Sequence, residues 1–344
     1  MRSLRNLLSV LLLLAVASVG AWGWLVREVS APGAQTTAVR IDVRKGDGLR
    51  QVLTTLAKRG LVEHPRAIEV WVRIARPSLQ PKAGRYEIGP AASVREILNE
   101  IDAGRVLLES ITVVEGSRFA DFRAALEAHP DVEQTLRGLD DRDVMWRVSG
   151  RPLHPEGRFF PDTYRFAAGT SDLEILITAY RKMGAVLDGL WEAREQGLPL
   201  DSPDEALTLA SLIEKETALA SERPRIAGVF VARLRKGMRL QTDPAVIYGL
   251  GAAYDGDIRT RDLRTDGPYN TYTRAGLPPT PIALPGEAAL HAALHPQVTG
   301  ELYFVASDAG DGSHYFSRTY EEHQRAVNRW LAHSKTPKPI ENRQ

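Results

Sequence analysis

The sequence predicts an α+β chain in three parts: an N-terminal transmembrane helix, a small α+β module and a larger mixed α/β domain. Three observations carry that reading. Residues 7–26 hold no charge, residues 39–105 alternate short strand and helix patterns, and the remainder strings well-started helices between short strands and stiff loops. At 344 residues the chain has room for about two domains of usual size. Apolar residues make up 43% and charged residues 25%, ordinary proportions for a globular fold. The net charge is +1, from 44 basic and 43 acidic residues, so no nucleic-acid surface is expected. Cysteine is absent, which excludes disulfides, thiol catalysis, cysteine-bound metal and a lipidated cysteine anchor.

The N-terminus sets the compartment. Arg2 and Arg5 precede the uncharged run and Arg27 closes it. Twenty helical residues span about 30 Å, one hydrocarbon core. A cleaved signal peptide is the competing reading, with an apolar core over 7–14 and a cleavage site at 15–17. The run continues through Val19, Ala21, Trp22, Trp24 and Leu25, with both tryptophans placed for the far interface, and this favours an uncleaved anchor. Residues 1–6 then stay in the cytoplasm and everything after Arg27 lies outside. Residues 27–38, with Pro32 and Gly33, read as a linker.

The module at 39–105 starts with an alternating strand over 39–43, broken by a turn over 45–48. Leu49, Val52, Leu53 and Leu56 share one face of a helix that Gly60 stops. A second helix spans 65–74 and ends near Pro77. A strand over 84–88 follows, and Ser93 with Glu96 forms a capping box that opens a third helix over 94–101.

The larger domain is expected at 106–335, with a tail at 336–344. A strand over 107–114 leads to a helix over 119–128, and 132–148 is mostly helical in pattern. Residues 156–166, dense in aromatics and turn formers, read as core packing around a turn, with a groove wall as the alternative. A long helix from Asp172 is ended by Gly197 and Pro199. Ser202, Pro203 and Glu205 then make a strong helix start: a capping hydroxyl, a first-turn proline and a glutamate three residues on. Pro224 separates this helix from the next, over 225–236. Beyond Met238 the chain is loop-rich and proline-stiffened, with a helix over 288–294, strands over 301–305 and 315–316, and a closing helix over 320–333.

Within 207–220, spacing singles out one carboxylate. At about 100° per residue from Leu207, the apolar stripe of Leu209, Leu212, Ile213 and Leu219 centres near ~190°, and Glu216 falls inside it at about 180°. Glu214 falls at about 340°, beside Ser211 and Lys215, on the side expected to face water. A carboxylate on an apolar face loses hydration, which raises its pKa and keeps it protonated, as a general acid requires. A structural ion pair with Arg223, Arg225 or Arg233 is the alternative. Metal catalysis is not expected. The eight histidines are scattered, and His291 and His295 lack the glutamate of a metalloprotease helix.

Several separated motifs carry a family resemblance: 209–217, 221–223, 239–244, 269–272, 276–279 and 295–296, with 156–163 upstream. In this order they resemble the endolytic murein transglycosylase (YceG-like) family, over most of the chain. Residues 39–105 resemble a LysM-like glycan-binding module in layout, though a plain spacer fits the pattern as well. The resemblance implies a single-pass protein of the bacterial inner membrane. Its periplasmic domain would cleave the MurNAc–GlcNAc bond within peptidoglycan strands and leave a 1,6-anhydroMurNAc end. It names Glu216 as catalytic, needs no cofactor, and implies glycan strands, the plasma membrane through 7–26 and peptidoglycan synthases as partners. Termination of nascent strands is the implied role.

Gln241, Asp243, Tyr269, Asn270 and Tyr272 are candidates for holding the sugars, and Arg223 is a candidate neighbour of Glu216. Two rival readings stand: a muramidase-type hydrolase using Glu216 with Asp243, and a non-catalytic, membrane-anchored glycan-binding scaffold. Ordinary glycosidases use two carboxyl groups, whereas one suffices when the substrate's own C6 hydroxyl closes the ring.

Overall fold

A computed structural model describes residues 2–334, so the tail expected at 336–344 lies outside the described residues. Two compact units emerge. One comprises Met1–Ser110, Asp131–Glu133 and Arg165–Thr170; the other comprises Ile111–Pro130, Gln134–Tyr164 and Ser171–Gln344. The chain is mixed α and β, and every strand pairs with one other to make a two-stranded ladder.

The first unit opens with α1 (Arg2–Ser30). Among the described residues it is the one helix long and apolar enough to cross a membrane. Its leucines and valines from Leu7 to Val19 are exposed, as a lipid-facing surface is, but Leu25 and Val29 are buried in the unit's core. The helix therefore continues through 27–30, where the sequence reads as linker, and irregular chain begins at Ala31. Burial of that last turn extends the helix beyond the point where hydropathy stops predicting it.

β1 (Val39–Val43), α2 (Leu49–Lys58) and α3 (Pro65–Ala75) follow. β2 (Gly84–Ile88) returns antiparallel to β1, with Ile41 opposite Tyr86. α4 (Val94–Ala103) starts with the expected capping box: Ser93 Oγ accepts from the Glu96 amide at 3.3 Å, and the Glu96 carboxylate accepts from the Ser93 amide at 2.8 Å. Ile41, Leu56, Ile68, Tyr86 and Leu98 fill the interior, each such side chain stabilising the fold by about 1.5–3 kcal/mol.

Next come β3 (Leu108–Thr112), α5 (Phe119–Ala128), β4 (Val132–Glu133), α6 (Asp141–Ser149), β5 (Thr163–Ala167), β6 (Thr170–Ser171) and α7 (Asp172–Glu192). β3 pairs with β5, and β4 with β6. The region read as mostly helical over 132–148 is thus a short strand and one helix. Phe159, Phe160, Tyr164 and Phe166 are buried, so the aromatics of 156–166 are core.

The second unit is built around α8 (Pro203–Glu216), packed by α7, α9 (Arg223–Arg235) and α12 (Glu287–Leu294), with α10 (Asp243–Leu250) and α11 (Thr260–Arg264) on the connection between α9 and α12. α10 and α11 lie where the sequence reads as loop. Each is short and begins on a local device: Pro244 in the first turn of α10, and the Asp262 carboxylate accepting from the Arg259 amide at 2.9 Å before α11. The hairpin of β7 (Tyr303–Ala306) and β8 (His314–Ser317) pairs Phe304 with Phe316, and α13 (Tyr320–Ser334) packs on it.

α8 corrects the sequence reading in two respects. It is buried on every side from Ala206 to Ile213, including Thr208 and Ser211, so it has no water-facing stripe. It also ends at Glu216, because Thr217 is extended, so Leu219 never joins its apolar face.

Candidate active site

The start of α8 is held by Ser202, whose hydroxyl accepts from the Glu205 amide at 3.3 Å, with Pro203 in the first turn. In the middle, Ser211 Oγ accepts from the Ile282 amide at 3.0 Å, tying the helix to the segment before α12. At its far end Glu214 is 5% exposed at the side chain, pairs with Arg223 at 3.0 Å and accepts from the Gly286 amide at 3.0 Å. The expectation that Glu214 faces water is therefore wrong. Its partners lie outside the helix, where the helix's own periodicity gives no sign of them. Arg223 stands against Glu214, with Glu115 at 3.9 Å.

Glu216 is the last residue of this helix and lines a cleft of about 460 Å³. Arg233 of α9, Gln241 and Asp243 at the start of α10, Tyr272, Tyr303 of β7, His314 of β8, and His323 and Gln324 of α13 share that cleft. Burial pushes the Glu216 carboxyl up to about 7; the Thr242 hydroxyl and the Arg233 cation oppose that rise and the Asp243 charge adds to it. The C-terminal end of a helix, with its free carbonyls, is also the unfavourable end for an anion. Near neutral pH the group is divided between acid and base.

Arg233 is 7% exposed. Its Nε donates to the Leu302 carbonyl at 2.6 Å, and its Nη1 to the Leu240 carbonyl at 2.7 Å and the Arg239 carbonyl at 3.2 Å. The Tyr303 ring lies over the guanidinium at 5.2 Å. Gln241 takes a left-handed backbone, φ 52°, uncommon for a residue with a side chain, and its amide donates to the Thr271 carbonyl at 3.1 Å. Tyr272 donates to Asp243 Oδ1 at 2.5 Å.

Of the residues singled out from sequence, Glu216, Gln241, Asp243 and Tyr272 come together in the cleft. Tyr269 and Asn270 support it from behind. Tyr269 hydrogen-bonds Thr280 at 2.8 Å and packs edge-on against Tyr248. Asn270, 5% exposed, donates to the carbonyls of Asp262, Leu263 and Thr265 and accepts from the Tyr272 amide at 2.9 Å. It staples the loop that presents Tyr272.

Sequence reasoning missed the hairpin and α13 as a cleft wall. The histidines looked scattered, but His314 and His323 reach the cleft together with Tyr303, because these pieces converge only in three dimensions. It also missed Glu156, 4% exposed, whose carboxyl burial pushes up to about 7 although it accepts from the Phe119 amide at 2.9 Å. Elsewhere, Glu28, Glu63 and His64 bring possible metal-ligand atoms within 4.8 Å of one another, all in the first unit.

The model of the YceG-like family matches residues 41–329. An endolytic murein transglycosylase of Bacillus subtilis (strain 168) is 32% identical over 315 residues, covering 86% of each chain. A second protein of that description, from Streptococcus pneumoniae (strain ATCC BAA-255 / R6), is 29% identical over 84% of this chain and 58% of its own length. Among solved structures, a yceG-like protein of Listeria monocytogenes is 28% identical, with a TM-score of 0.47, over 84% of this chain and 99% of that one.

Proposed function

The chain belongs to the YceG-like family, and from that premise we propose that it is an endolytic peptidoglycan lytic transglycosylase with Glu216 as its catalytic residue. The observation that carries the reading is the setting of Glu216: a carboxyl pushed up to about 7 by burial, at the wall of a cleft lined with polar and aromatic side chains. Such a group supplies a proton at neutral pH and takes one back without leaving its ordinary range.

In the proposed reaction Glu216 protonates the oxygen linking MurNAc C1 to GlcNAc, and the C1–O bond breaks as an oxocarbenium-like centre forms. The Glu216 carboxylate then removes the proton from the MurNAc C6 hydroxyl. O6 attacks C1 and closes the 1,6-anhydro ring, so the carboxyl ends protonated and no water is consumed. Gln241, Asp243 and Tyr272 are proposed to hold the sugars. A hydrolase reading is favoured by one observation, the presence of Asp243 in the same cleft. The chemistry of the new ends separates the two readings.

The anchor at 7–26 is proposed to cross the inner membrane with residues 1–6 in the cytoplasm and the domain at 106–335 in the periplasm. The order β1–α2–α3–β2 supports a LysM-like reading of 39–105. On this layout the enzyme works beside the membrane on strands still being made, where synthases would be its neighbours and termination its effect. The test is mass spectrometry of products released from peptidoglycan by full-length protein in detergent. Wild type should release anhydro-ended fragments, and Glu216→Gln should release at least ~10³-fold less, the scale of a lost acid–base group. Equal release by Glu216→Gln would remove the catalytic assignment.

A further inference from the structure

We propose that Arg233 is a positioning residue that acts through Glu216, sustaining its carboxylate in the interval between proton donation and proton removal. The inference rests on the transglycosylase reading and adds a second residue to it. A single carboxyl that serves as acid and then base must exist as an anion in mid-reaction, and in this cleft that anion is poorly placed. It sits at a helix C-terminus, with the like charge of Asp243 nearby. Some fixed positive charge must offset both.

The titratable groups around the carboxyl leave one candidate. α10 offers Asp243, and the loop stapled by Asn270 offers Tyr272, which donates to Asp243. The hairpin offers Tyr303 and His314, whose Nδ1 lies 2.7 Å from Glu222. α13 offers His323, which burial pushes toward neutral imidazole. α9 offers Arg233.

Three features suit Arg233 to this task. Its acceptors are all uncharged, three backbone carbonyls and, at 3.4 Å, the Gln241 side-chain oxygen. Among the described residues it forms no ion pair, unlike Arg223 and Arg225 on the same helix, which hold Glu214 and Glu301. Its Nη2 takes no acceptor among those residues, leaving one edge of the guanidinium uncommitted on a side chain that lines the cleft. A buried cation normally finds a carboxylate partner, because a desolvated charge without one is costly. Arg233 and Glu216 line the same cleft, so the cation acts on the carboxylate through space rather than as a contact pair, and it favours the ionised form.

The experiment is the pH dependence of kcat and KM for full-length wild type, Arg233→Gln and Arg233→Lys on peptidoglycan strands, with Glu216→Gln alongside. Removing the cation makes Glu216 a weaker acid. In Arg233→Gln the alkaline limb of the kcat profile should therefore move to higher pH, kcat should fall at least ~10-fold, and KM should change little. Arg233→Lys keeps the charge but loses the fork of hydrogen bonds, so it should leave the limb at its wild-type position and recover most of kcat. If Arg233→Gln does not fold, Arg233→Lys decides: a wild-type limb with most of kcat supports the proposal. An unmoved limb in Arg233→Gln, or a shifted limb in Arg233→Lys, overturns it, since the residue would then matter for shape alone. Wild-type activity in Glu216→Gln would instead remove the transglycosylase reading on which the proposal stands.

Discussion

Glu156 and Glu216 are both buried carboxyls pushed up to about 7, yet they differ in what surrounds them. Glu216 lines a cleft, whereas Glu156 is enclosed among the Phe119 amide, Tyr248 and Arg118 and has no part in the proposed chemistry. Its folded-state pKa lies above the unfolded value, so the protonated form is the one folding favours. Its contribution is fully present below about pH 4.5 and is lost as pH rises toward 7, a swing of about 3 kcal/mol at most. Glu156→Gln should accordingly raise the melting temperature more at pH 8 than at pH 5, measured by thermal denaturation. A larger gain at pH 5 would show that the carboxyl is held as an anion. Spacing along one helix pointed to Glu216, but the apolar stripe behind that reading is absent, since α8 is buried all round and ends before Leu219. Spacing was blind to Glu214 and Glu156 because their partners, the Gly286 and Phe119 amides, lie 72 and 37 residues away.

At the level of elements, the starts of helices were the most legible feature. Ser93 with Glu96, and Ser202 with Pro203, place α4 and α8 through local hydrogen bonds that four neighbouring residues encode. Helix ends and buried faces were less legible, since α8 stops at Glu216 and is covered on all sides by α7, α9 and α12. The hairpin and α13 gave ordinary patterns, and nothing local told that they would wall the cleft. The packing also makes one demand that periodicity does not show. Gly228, in the middle of α9, lies so close to the 295–298 segment that a Cβ there would come within 2.0 Å of the Gln297 carbonyl oxygen. Gly228→Ala, which helix propensity alone would favour, should therefore destabilise the protein by about 1–3 kcal/mol, the range for overpacking. A denaturant midpoint equal to or above wild type would contradict this packing.

For the whole molecule, α1 and the rest of the first unit are one structural body rather than a tether and a bead. Leu25 and Val29 belong at once to α1 and to the core around Ile68 and Leu98. A soluble chain beginning at Trp24 should thus melt clearly above one beginning at Ala31, which forfeits about 3–5 kcal/mol of apolar burial at the upper limit. Identical melting of the first unit in both would show that the last turn of α1 contributes nothing. In the second unit, one carboxyl, Glu216, is proposed to serve as acid and then base while the substrate's own hydroxyl replaces water. Digesting glycan strands in heavy-oxygen water and weighing the products distinguishes this chemistry from hydrolysis. Anhydro ends free of the label are expected, both for wild type and for Asp243→Asn. Heavy oxygen at the muramyl C1 of the new ends would contradict this and make the protein a hydrolase.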